Sequence, residues 1–329
     1  MEATGTASGR DADRIDDVRI VIALGGNALI PRGQRLDFEV QQRSARVAAT
    51  ALAPVISEHQ VVVTHGNGPQ VGLLALQSEA YAEVASYPLD VLVAETEGMI
   101  GYILETELDR VVDLPILTVL TRTVVRADDP AFADPTKPIG PLYENLAVTR
   151  RLAVERGWEF RVDGPGLRRV VPSPNPIRIV QSDLIRRLSD DGILVVCAGG
   201  GGIPVVEEEG TTRGVEAVVD KDLASSLLAV ELDADAFVCL TDVHGVFDRW
   251  GEPDQRLVRG ESTEWFRAHE FAAGSMGPKV EAACRFAEAT GRPGFIGALD
   301  EVVELLAGSA GTRVEPTRST AIDPTILTM

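Results

Sequence analysis

The stretch VRIVIALGG, residues 18–26, decides the fold. A short β-branched apolar run without polar alternation is typical of a strand that is buried on both faces, as the strands of parallel sheets are. The same plan returns in QVVVTHGNGPQVG, residues 60–72, where a strand ends at a glycine turn and a helix opens with Pro69 in its first turn. Two such strand-to-helix turns predict a parallel sheet with helices on both faces.

The alternation of strands and helices continues toward the end of the chain. Periodicity and turn residues predict, in order, a helix within 39–57, a helix within 88–111, a strand at 116–121, a helix near 177–190, a strand at 193–197, a hairpin through 203–219, a helix at 222–232, a strand at 236–241, a helix after a loop at 274–277, and a last strand, helix and strand to about 315. We therefore expect one α/β domain over 18–315.

One stretch interrupts this rhythm. Residues 126–176 hold eight prolines, placed around a helix-like piece at 143–156 and strand-like pieces at 158–162 and 168–172. We interpret 126–176 as a small inserted subdomain that protrudes from the main sheet.

The charge of the chain restricts the class of function. The chain has 329 residues and a formal net charge of −19. Such an acidic protein is unsuited to nucleic acid or anionic lipid, because phosphate backbones need spread positive charge. A small phosphate compound is still compatible with it, since a few basic residues, glycine-loop amides and helix N-termini can concentrate positive charge locally.

The chain ends and the cysteines indicate a cytoplasmic protein. The N-terminal stretch has no apolar core segment, so we expect no signal peptide, a disordered lead-in at 1–17 and a C-terminal tail at 316–329. No apolar run approaches the roughly 20 residues of a membrane span. Cys197, Cys239 and Cys284 are odd in number and widely spaced, which predicts buried free thiols in a reducing compartment. The four histidines are scattered and predict no metal site.

Four glycine-rich turns follow predicted strands. They are Gly25-Gly26-Asn27, Gly66-Asn67-Gly68, Gly199 to Gly202, and Gly274 to Gly277. Ligands of open α/β sheets bind outside the carboxyl ends of the strands, where glycine lets backbone N–H groups approach an anion. A tight turn explains any one of these loops equally well, but four at one edge favour phosphate binding. Neither G-x-x-x-x-G-K-[ST] nor G-x-G-x-x-G occurs, which disfavours a P-loop NTPase and a nicotinamide Rossmann enzyme.

Lysine is rare in this chain. Of 31 lysines and arginines only three are lysines, namely Lys137 in PTKPIGP, Lys221 in VDKD and Lys279 in GSMGPK. Lysine is a compact point charge, whereas arginine is a planar fork suited to fixed salt bridges. A GC-rich genome would explain part of the bias. Three ammonium groups in stiff or glycine-rich settings nevertheless predict a site that neutralises the oxygens of a transferring phosphoryl group.

Two aspartates flank Lys221. Residues i and i+2 of an extended segment point to opposite sides, so we expect only one of Asp220 and Asp222 to face a ligand. A carboxylate at this place could hold two lysines by hydrogen bonds, or it could cap the helix that starts there. The two roles are compatible, and the sequence leaves both open.

These stretches together resemble the carbamate kinases of the amino acid kinase superfamily. The matching segments are ALGGNAL (23–29), THGNGPQVG (64–72), PLDV (88–91), EGMIGY (97–102), PTKPIGP (135–141), VVPSP (170–174), IV (179–180), CAGGGGIPVV (197–206), GVEAVVDKDLA (214–224) and GSMGPKVEAACRF (274–286). They run in order from about residue 18 to 315. PTKPIGP together with VDKDLA and GSMGPKVEAA is specific to this branch.

The resemblance implies a fold, a reaction and an assembly. The fold would be an open α/β/α sandwich with a mostly parallel sheet of eight strands, and the protein would be a homodimer. The reaction would be reversible phosphoryl transfer between carbamoyl phosphate and ADP, which gives ATP and carbamate. Mg²⁺ would be held mainly through the nucleotide phosphates.

The resemblance also assigns roles by motif. The half at 18–190 would carry the carbamate end and the half at 191–315 the nucleotide. Phosphoryl and substrate contacts would come from Gly25, Gly26, Asn27, Gly66, Asn67, Gly68, Gly200 and Gly201. Nucleotide contacts would come from Lys221, Thr241, Asp242, Val243, Phe247, Met276 and Lys279. Lys137, Lys221 and Lys279 would act in catalysis, with Asp222 organising the lysines of the nucleotide half.

Three positions separate branches or depart from the family pattern, and a fourth has two possible roles. Ala23 stands where acetylglutamate kinase and its relatives commonly have a lysine, which favours the carbamate branch. Glu97 stands where many members have glutamine, and it adds negative charge near the substrate end. His244 stands where an aspartate is usual, and it either contacts the nucleotide or faces solvent. Phe247 either lies against adenine or is an ordinary core phenylalanine.

Two other functions stay open at this point. A small-molecule kinase of the same fold with another acceptor, such as an acylated amino acid, would need basic residues for the carboxylates of that acceptor. No extra lysine supplies them, although arginines are available. A non-catalytic nucleotide-binding relative would be expected to lose one of the three lysines, and all three are present.

Overall fold

The computed structural model describes residues 18–30, 33–81, 83–272 and 275–317, without the side chains of Asn27 and Ala28. The predicted lead-in, the tail from residue 318 onward and Gly274 of the last glycine turn lie outside the described residues. Within these ranges, no helix is both long enough and apolar enough to cross a membrane.

Eight strands form the central sheet. In spatial order they are β15 (Gly260–Ser262), β17 (Thr312–Glu315), β16 (Gly294–Ala298), β12 (Ala236–Thr241), β1 (Arg19–Leu24), β2 (Gln60–His65), β9 (Leu194–Cys197) and β3 (Ile116–Val119). Neighbouring strands are parallel except for the antiparallel pair of β16 and β17. The predicted mostly parallel sheet of about eight strands is therefore confirmed.

Ten α-helices connect or flank the strands of the described chain. They are α1 (Gly26–Leu29), α2 (Phe38–Glu58), α3 (Gly68–Ala80), α4 (Leu89–Leu108), α5 (Leu146–Arg156), α6 (Ser182–Asp190), α7 (Lys221–Glu231), α8 (Thr263–Arg267), α9 (Met276–Thr290) and α10 (Val302–Leu306). Short 3₁₀ turns cover Pro130–Phe132, Gly199–Gly201 and Leu299–Glu301.

Strand β1 illustrates how both faces of the sheet are covered. Ile20, Ile22 and Leu24 pack into one apolar cluster with α2 and α4, whereas Val21 and Ala23 pack into a second cluster with α7 and α9. All five side chains are buried, and full burial of a branched aliphatic side chain stabilises by about 1.5–3 kcal/mol. Burial on both faces is the reason why VRIVIALGG shows no polar alternation. The two helical layers confirm the predicted α/β/α sandwich.

Smaller sheets lie outside the central one. A three-stranded sheet has the order β5 (Lys137–Tyr143), β7 (Gly166–Val171) and β6 (Glu159–Asp163). A four-stranded sheet has the order β11 (Thr211–Gly214), β10 (Ile203–Glu208), β4 (Arg122–Val125) and β8 (Pro176–Ile179). A two-stranded ribbon pairs β13 (Phe247–Asp248) with β14 (Arg256–Leu257).

Two expectations about these segments were incomplete or wrong. The predicted helix near 177–190 is a strand at its start, because β8 runs to Ile179 and pairs antiparallel with β4, and α6 begins only at Ser182. Strand β5 was missed because Pro138 and Pro141 interrupt it. Proline is tolerated there since β5 is an edge strand, whose N–H groups need no partner on the outer side.

Candidate functional site

A cavity of about 710 Å³ opens at the carboxyl ends of β1, β2 and β12. Parallel strands end at the same edge of a sheet, so the turns that follow them meet there. The predicted residues on the cavity wall are Gly25, Gly26, Gly66, Asn67, Gly68, Lys137, Gly200, Lys221, Asp222, Thr241, Asp242, Val243, Phe247, Met276 and Lys279. Gly201 is not on the wall; its carbonyl accepts from Thr123 Oγ1 at 2.7 Å. The side chain of Asn27 lies outside the described residues.

The first two glycine turns touch each other through their backbones. A Cβ added to Gly66 would lie 3.2 Å from the Gly26 nitrogen and 3.5 Å from Cδ of Lys221. The distance to Gly26 is tighter than ordinary contact, so a larger residue at position 66 would push the two turns apart by a few tenths of an ångström, whereas the distance to Lys221 is an ordinary contact. Gly66 is therefore needed for this close approach and not only for turning the chain.

Three helices aim their N-termini at the cavity. The first residues of α3, α7 and α9 are Gly68, Lys221 and Met276, and all three line the wall. The N-terminus of a helix carries a partial positive charge and free N–H groups. The convergence of three such ends adds positive potential for an anion without adding charged side chains.

Asp222 joins two of the three lysines. Its Oδ1 accepts from Nζ of Lys221 at 2.5 Å and its Oδ2 accepts from Nζ of Lys279 at 2.9 Å. Burial opposes ionisation of this carboxyl, but the ammonium groups of Lys221 and Lys279 outweigh it and hold the pKa of Asp222 well below its usual range. Burial likewise opposes the charge of Lys279, and Asp222 outweighs it and raises the pKa of that ammonium group. The group of three carries one net positive charge.

Asp220 holds the third lysine and also caps a helix. Its Oδ1 accepts from the backbone nitrogens of Asp222 at 2.9 Å and Leu223 at 3.3 Å, and its Oδ2 accepts from Nζ of Lys137 at 2.5 Å. Both aspartates line the cavity, so the expectation that only one would face it was wrong. The extended geometry behind that expectation ends at Asp220, because Lys221 is already helical.

Glu97 and His65 are two buried titratable side chains near the glycine turns. Glu97 is 2% exposed and is not on the cavity wall, and its Oε2 accepts from the Thr121 nitrogen at 2.9 Å. Burial raises the pKa of Glu97 well above its usual value, and the negative charge expected of this residue near the substrate end stays a prediction. Burial also lowers the pKa of His65 to about 4, which leaves its imidazole neutral.

The far end of the cavity is aromatic. Phe247 lines it and meets Trp250 edge-on, with ring centroids 5.2 Å apart. Trp250, His269 and Phe271 also line this end, and sequence reasoning missed them because no motif includes them. His244 is not on the wall: its side chain is 67% exposed and its Nδ1 lies 3.0 Å from Oε2 of Glu301, so it faces solvent.

The three cysteines and the possible metal ligands are the remaining reactive groups. Cys197, Cys239 and Cys284 are buried and unpaired, as predicted. Cys239 Sγ lies 3.7 Å from Oδ1 of Asp222, and burial raises the pKa of this thiol well above its usual value. Across the described ranges, no group of three or more His, Cys, Asp or Glu side chains is arranged to hold a metal ion.

Comparison with known proteins places these features in a family. Residues 18–298 match the model of the amino acid kinase family. A carbamate kinase of Rhizobium meliloti is 50% identical over 300 residues, which cover 90% of this chain and 92% of that protein. A carbamate kinase of Haemophilus influenzae is also 50% identical over 300 residues, with 90% and 96% covered.

A solved structure agrees with these matches. Carbamate kinase from Giardia lamblia bound to AMP-PNP superposes with a TM-score of 0.84 at 40% sequence identity, covering 91% of this chain and 98% of that one. The chain therefore belongs to the amino acid kinase family and, within it, to the carbamate kinases.

Proposed function

We propose that this protein catalyses reversible phosphoryl transfer between carbamoyl phosphate and ADP, which gives ATP and carbamate. The observation that carries the proposal is the pair of ammonium groups on Asp222, set in one cavity with Lys137 and with the glycine turns after β1 and β2. One end of this cavity is lined by backbone amides and the other by aromatic rings. A small phosphorylated compound fits the first end and a nucleobase the second.

The residues supply electrostatics and position for an in-line displacement. A terminal phosphate oxygen of ADP attacks phosphorus, the bond from phosphorus to the carbamoyl oxygen breaks, and carbamate leaves with that oxygen. Lys221 and Lys279 neutralise the nucleotide phosphates, and Lys137, which is held by Asp220, neutralises the transferring group. Such transfers depend mainly on positioning and charge, and the step as written needs no covalent enzyme intermediate.

Mg²⁺ fits this site as a companion of the nucleotide. Asp222 already accepts both ammonium groups, so the phosphate oxygens are the hard ligands that the ion prefers. When bound with the nucleotide, the ion supplies additional charge for the phosphate oxygens. Within the chain, Lys221 and Lys279 orient the phosphates beside it.

A different acceptor receives less support. An acylated amino acid would bring carboxylates that need further cations near the glycine turns. Among the described residues, the basic side chains on the wall are Lys137, Lys221, Arg249, His269 and Lys279. Arg249 and His269 lie with the aromatic residues and not with the glycine turns, and Arg249 forms an ion pair with Asp254. Carbamoyl phosphate therefore fits the charge of this end better.

An exposed apolar surface supports a homodimer. Tyr102 of α4 and Leu117 of β3 are exposed, and β3 is the edge strand of the central sheet. An open edge with large apolar neighbours is a surface that a second copy would cover. Sedimentation of the parent and of a Tyr102→Glu, Leu117→Glu double variant tests the dimer, and a parent that sediments as a monomer contradicts it.

The buried free thiols suit a cytoplasmic location.

The test of the function is direct. Purified protein is mixed with carbamoyl phosphate, ADP and Mg²⁺, and ATP is measured over time. The Lys279→Ala variant is expected to form ATP at least about 10²-fold more slowly, because it lacks a charge that faces the phosphates. ATP formation that does not exceed that of the Lys279→Ala protein overturns the proposed function.

A further inference from the structure

Lys137 reaches the cavity from a strand that is not part of the central sheet. It is the first residue of β5, and β5 is the edge strand of the three-stranded sheet. The position of β5 relative to the rest of the protein therefore determines the distance between the ammonium group of Lys137 and the carboxylate of Asp220. The body meets β5 at helix α3, which begins at Gly68 beside the glycine turn after β2.

The contact between α3 and β5 is made by two glycine backbones. A Cβ built on Gly72 of α3 would lie 2.2 Å from the nitrogen and 2.3 Å from the Cα of Gly140 in β5. Both atoms belong to backbone, which cannot rotate away. Glycine is unfavourable in a helix interior relative to alanine, and at position 72 the clash with Gly140 gives a reason for it.

The partner strand is shaped for this approach. Gly140 has φ of +70°, in the left-handed region that other residues rarely adopt. The register of β5 with β7 shifts between Ile139 and Leu142, so the strand bulges at Gly140 and brings its backbone onto the helix. A bulge in an edge strand commonly re-aims the residues beside it.

Apolar packing surrounds the two glycines and continues to the cavity. Ile139 is 2% exposed and belongs to one buried cluster with Val71 and Ala75 of α3 and with Val218. Ile139 and Val218 also line the cavity. Residues 137 and 139 project to the same face of the strand, so a shift of β5 at the glycine contact carries Lys137 with it.

We propose that Gly72 and Gly140 form a seat for β5 and are positioning residues for phosphoryl transfer, acting through Lys137. The inference rests on the proposed function and deepens it by naming what holds the third ammonium group in place. An alanine at position 72 forces α3 and β5 apart by about 1 Å or more, because ordinary carbon contacts are about 3.5–4.0 Å. A misplacement of about 1 Å can slow an enzymatic step about 10²-fold.

The experiment compares two glycine-to-alanine variants in helix interiors. Gly72→Ala introduces the clash, whereas Gly98→Ala is its matched control, since a Cβ on Gly98 of α4 meets no atom of the described residues within 4 Å apart from its own helix. For each protein we measure kcat of ATP formation, the dissociation constant of ADP by calorimetry, and thermal unfolding. We expect Gly72→Ala to lower kcat about 10²-fold with ADP affinity within about twofold of the parent. Gly98→Ala is expected to match the parent in both.

A double-mutant cycle separates positioning from general damage. If the seat acts through Lys137, adding Gly72→Ala to a Lys137→Ala protein lowers kcat no further, because the group being positioned is gone. Losses that multiply in the double variant, or parental kcat in the folded Gly72→Ala protein, overturn the proposal. ATP formation by the parent is scored first, so that its absence overturns the proposed function and not the seat.

A second variant covers the case in which Gly72→Ala does not fold. A Cβ on Gly140 lies no closer than 3.9 Å to Gly72, in ordinary contact, but the φ of +70° is unfavourable for alanine. Gly140→Ala therefore loosens the seat without a clash, and we expect a loss in kcat of up to about tenfold. Amide hydrogen exchange gives a readout besides activity: exchange in β5 rises and exchange in β1 stays parental. Unchanged exchange in β5 together with unchanged kcat overturns the seat.

Discussion

The lysines of the cavity come from two regions that are built differently. Lys221 is the first residue of α7, and Lys279 lies near the start of α9. Both helices pack on the central sheet, and the two lysines share one buried carboxylate. Lys137 stands on a separate three-stranded sheet and pairs with the carboxylate of a helix cap. The side chains of Lys221 and Lys279 are 12% and 13% exposed, and that of Lys137 is 30% exposed.

This difference in location and burial gives the charged groups of one site different roles. The pair on Asp222 is part of the folded core, so its geometry is as stable as the protein itself. The ammonium group of Lys137 depends on how a small sheet sits against α3. We therefore expect changes at the pair to affect stability and activity together, and changes at Lys137 to affect activity alone.

The largest expected effect follows from replacing the shared carboxylate. Asp222→Asn leaves two buried ammonium groups without a charged partner, which destabilises by about 3–5 kcal/mol and lowers kcat about 10²–10³-fold. Urea unfolding and ATP formation measure the two effects. Asp220→Asn is the matched variant for stability, because asparagine caps a helix as well as aspartate does. We expect its free energy of unfolding within about 1 kcal/mol of the parent; an equal loss of stability in both variants contradicts the distinction.

A conservative change at the third lysine comes next. Lys137→Arg keeps the charge but replaces a compact ammonium group with a planar fork that cannot follow a moving phosphoryl group. We expect kcat to fall at least about tenfold, less than on removing the charge outright, and the melting temperature to change little because the side chain is partly exposed. Full turnover by Lys137→Arg would show that the scarcity of lysine has no catalytic meaning at this position.

The pKa values of Asp222 and Lys279 are shifted in opposite directions, so the two groups contribute to stability over different pH ranges. The folded pKa of Asp222 is lowered, so its contribution is present above the unfolded value of about 3.9 and is lost as pH falls through the folded one. The folded pKa of Lys279 is raised, so its contribution is lost only at strongly alkaline pH. The difference in unfolding free energy between the parent and Asp222→Asn should shrink below about pH 4. A constant difference between about pH 7 and 3 would contradict this assignment.

The smallest effect is expected on replacing the buried residue Glu97, and it concerns stability. The folded pKa of Glu97 is raised, so the folded state binds more protons than the unfolded state above about pH 4.3 and stability falls as pH rises. Glu97→Gln removes this slope. Its melting temperature relative to the parent should increase from about pH 5 to 8. Parallel melting curves across that range would mean that Glu97 is ionised in the folded protein.

Much of the scaffold could be predicted from local sequence patterns. Apolar runs such as VRIVIALGG specify buried strands because burial on both faces removes the need for polar alternation. The glycine turns after β1 and β2 meet at one edge because parallel strands end there. Lys137, Lys221 and Lys279 could be singled out by their rarity, and all three line the cavity.

The missed features depend on contacts between distant segments. Strand β5 is hidden by Pro138 and Pro141, which only an edge position tolerates. Asp220 lies on the wall because it caps α7 with one carboxylate oxygen and accepts from Lys137, which is 83 residues away in the chain, with the other. Trp250 is a local exception: it meets Phe247 edge-on just after β13, and it was missed because no motif of the sequence includes it.

One variant tests the contrast between the two regions most directly. In Lys137→Ala, the dissociation constant of ADP is measured by calorimetry, and the rate of ATP formation is measured in a single turnover, with ADP saturating and the enzyme in excess over carbamoyl phosphate. The account predicts an ADP dissociation constant within about twofold of the parent and a single-turnover rate at least about 10²-fold lower. A parental rate, or a loss of ADP affinity as large as the loss of rate, would contradict it.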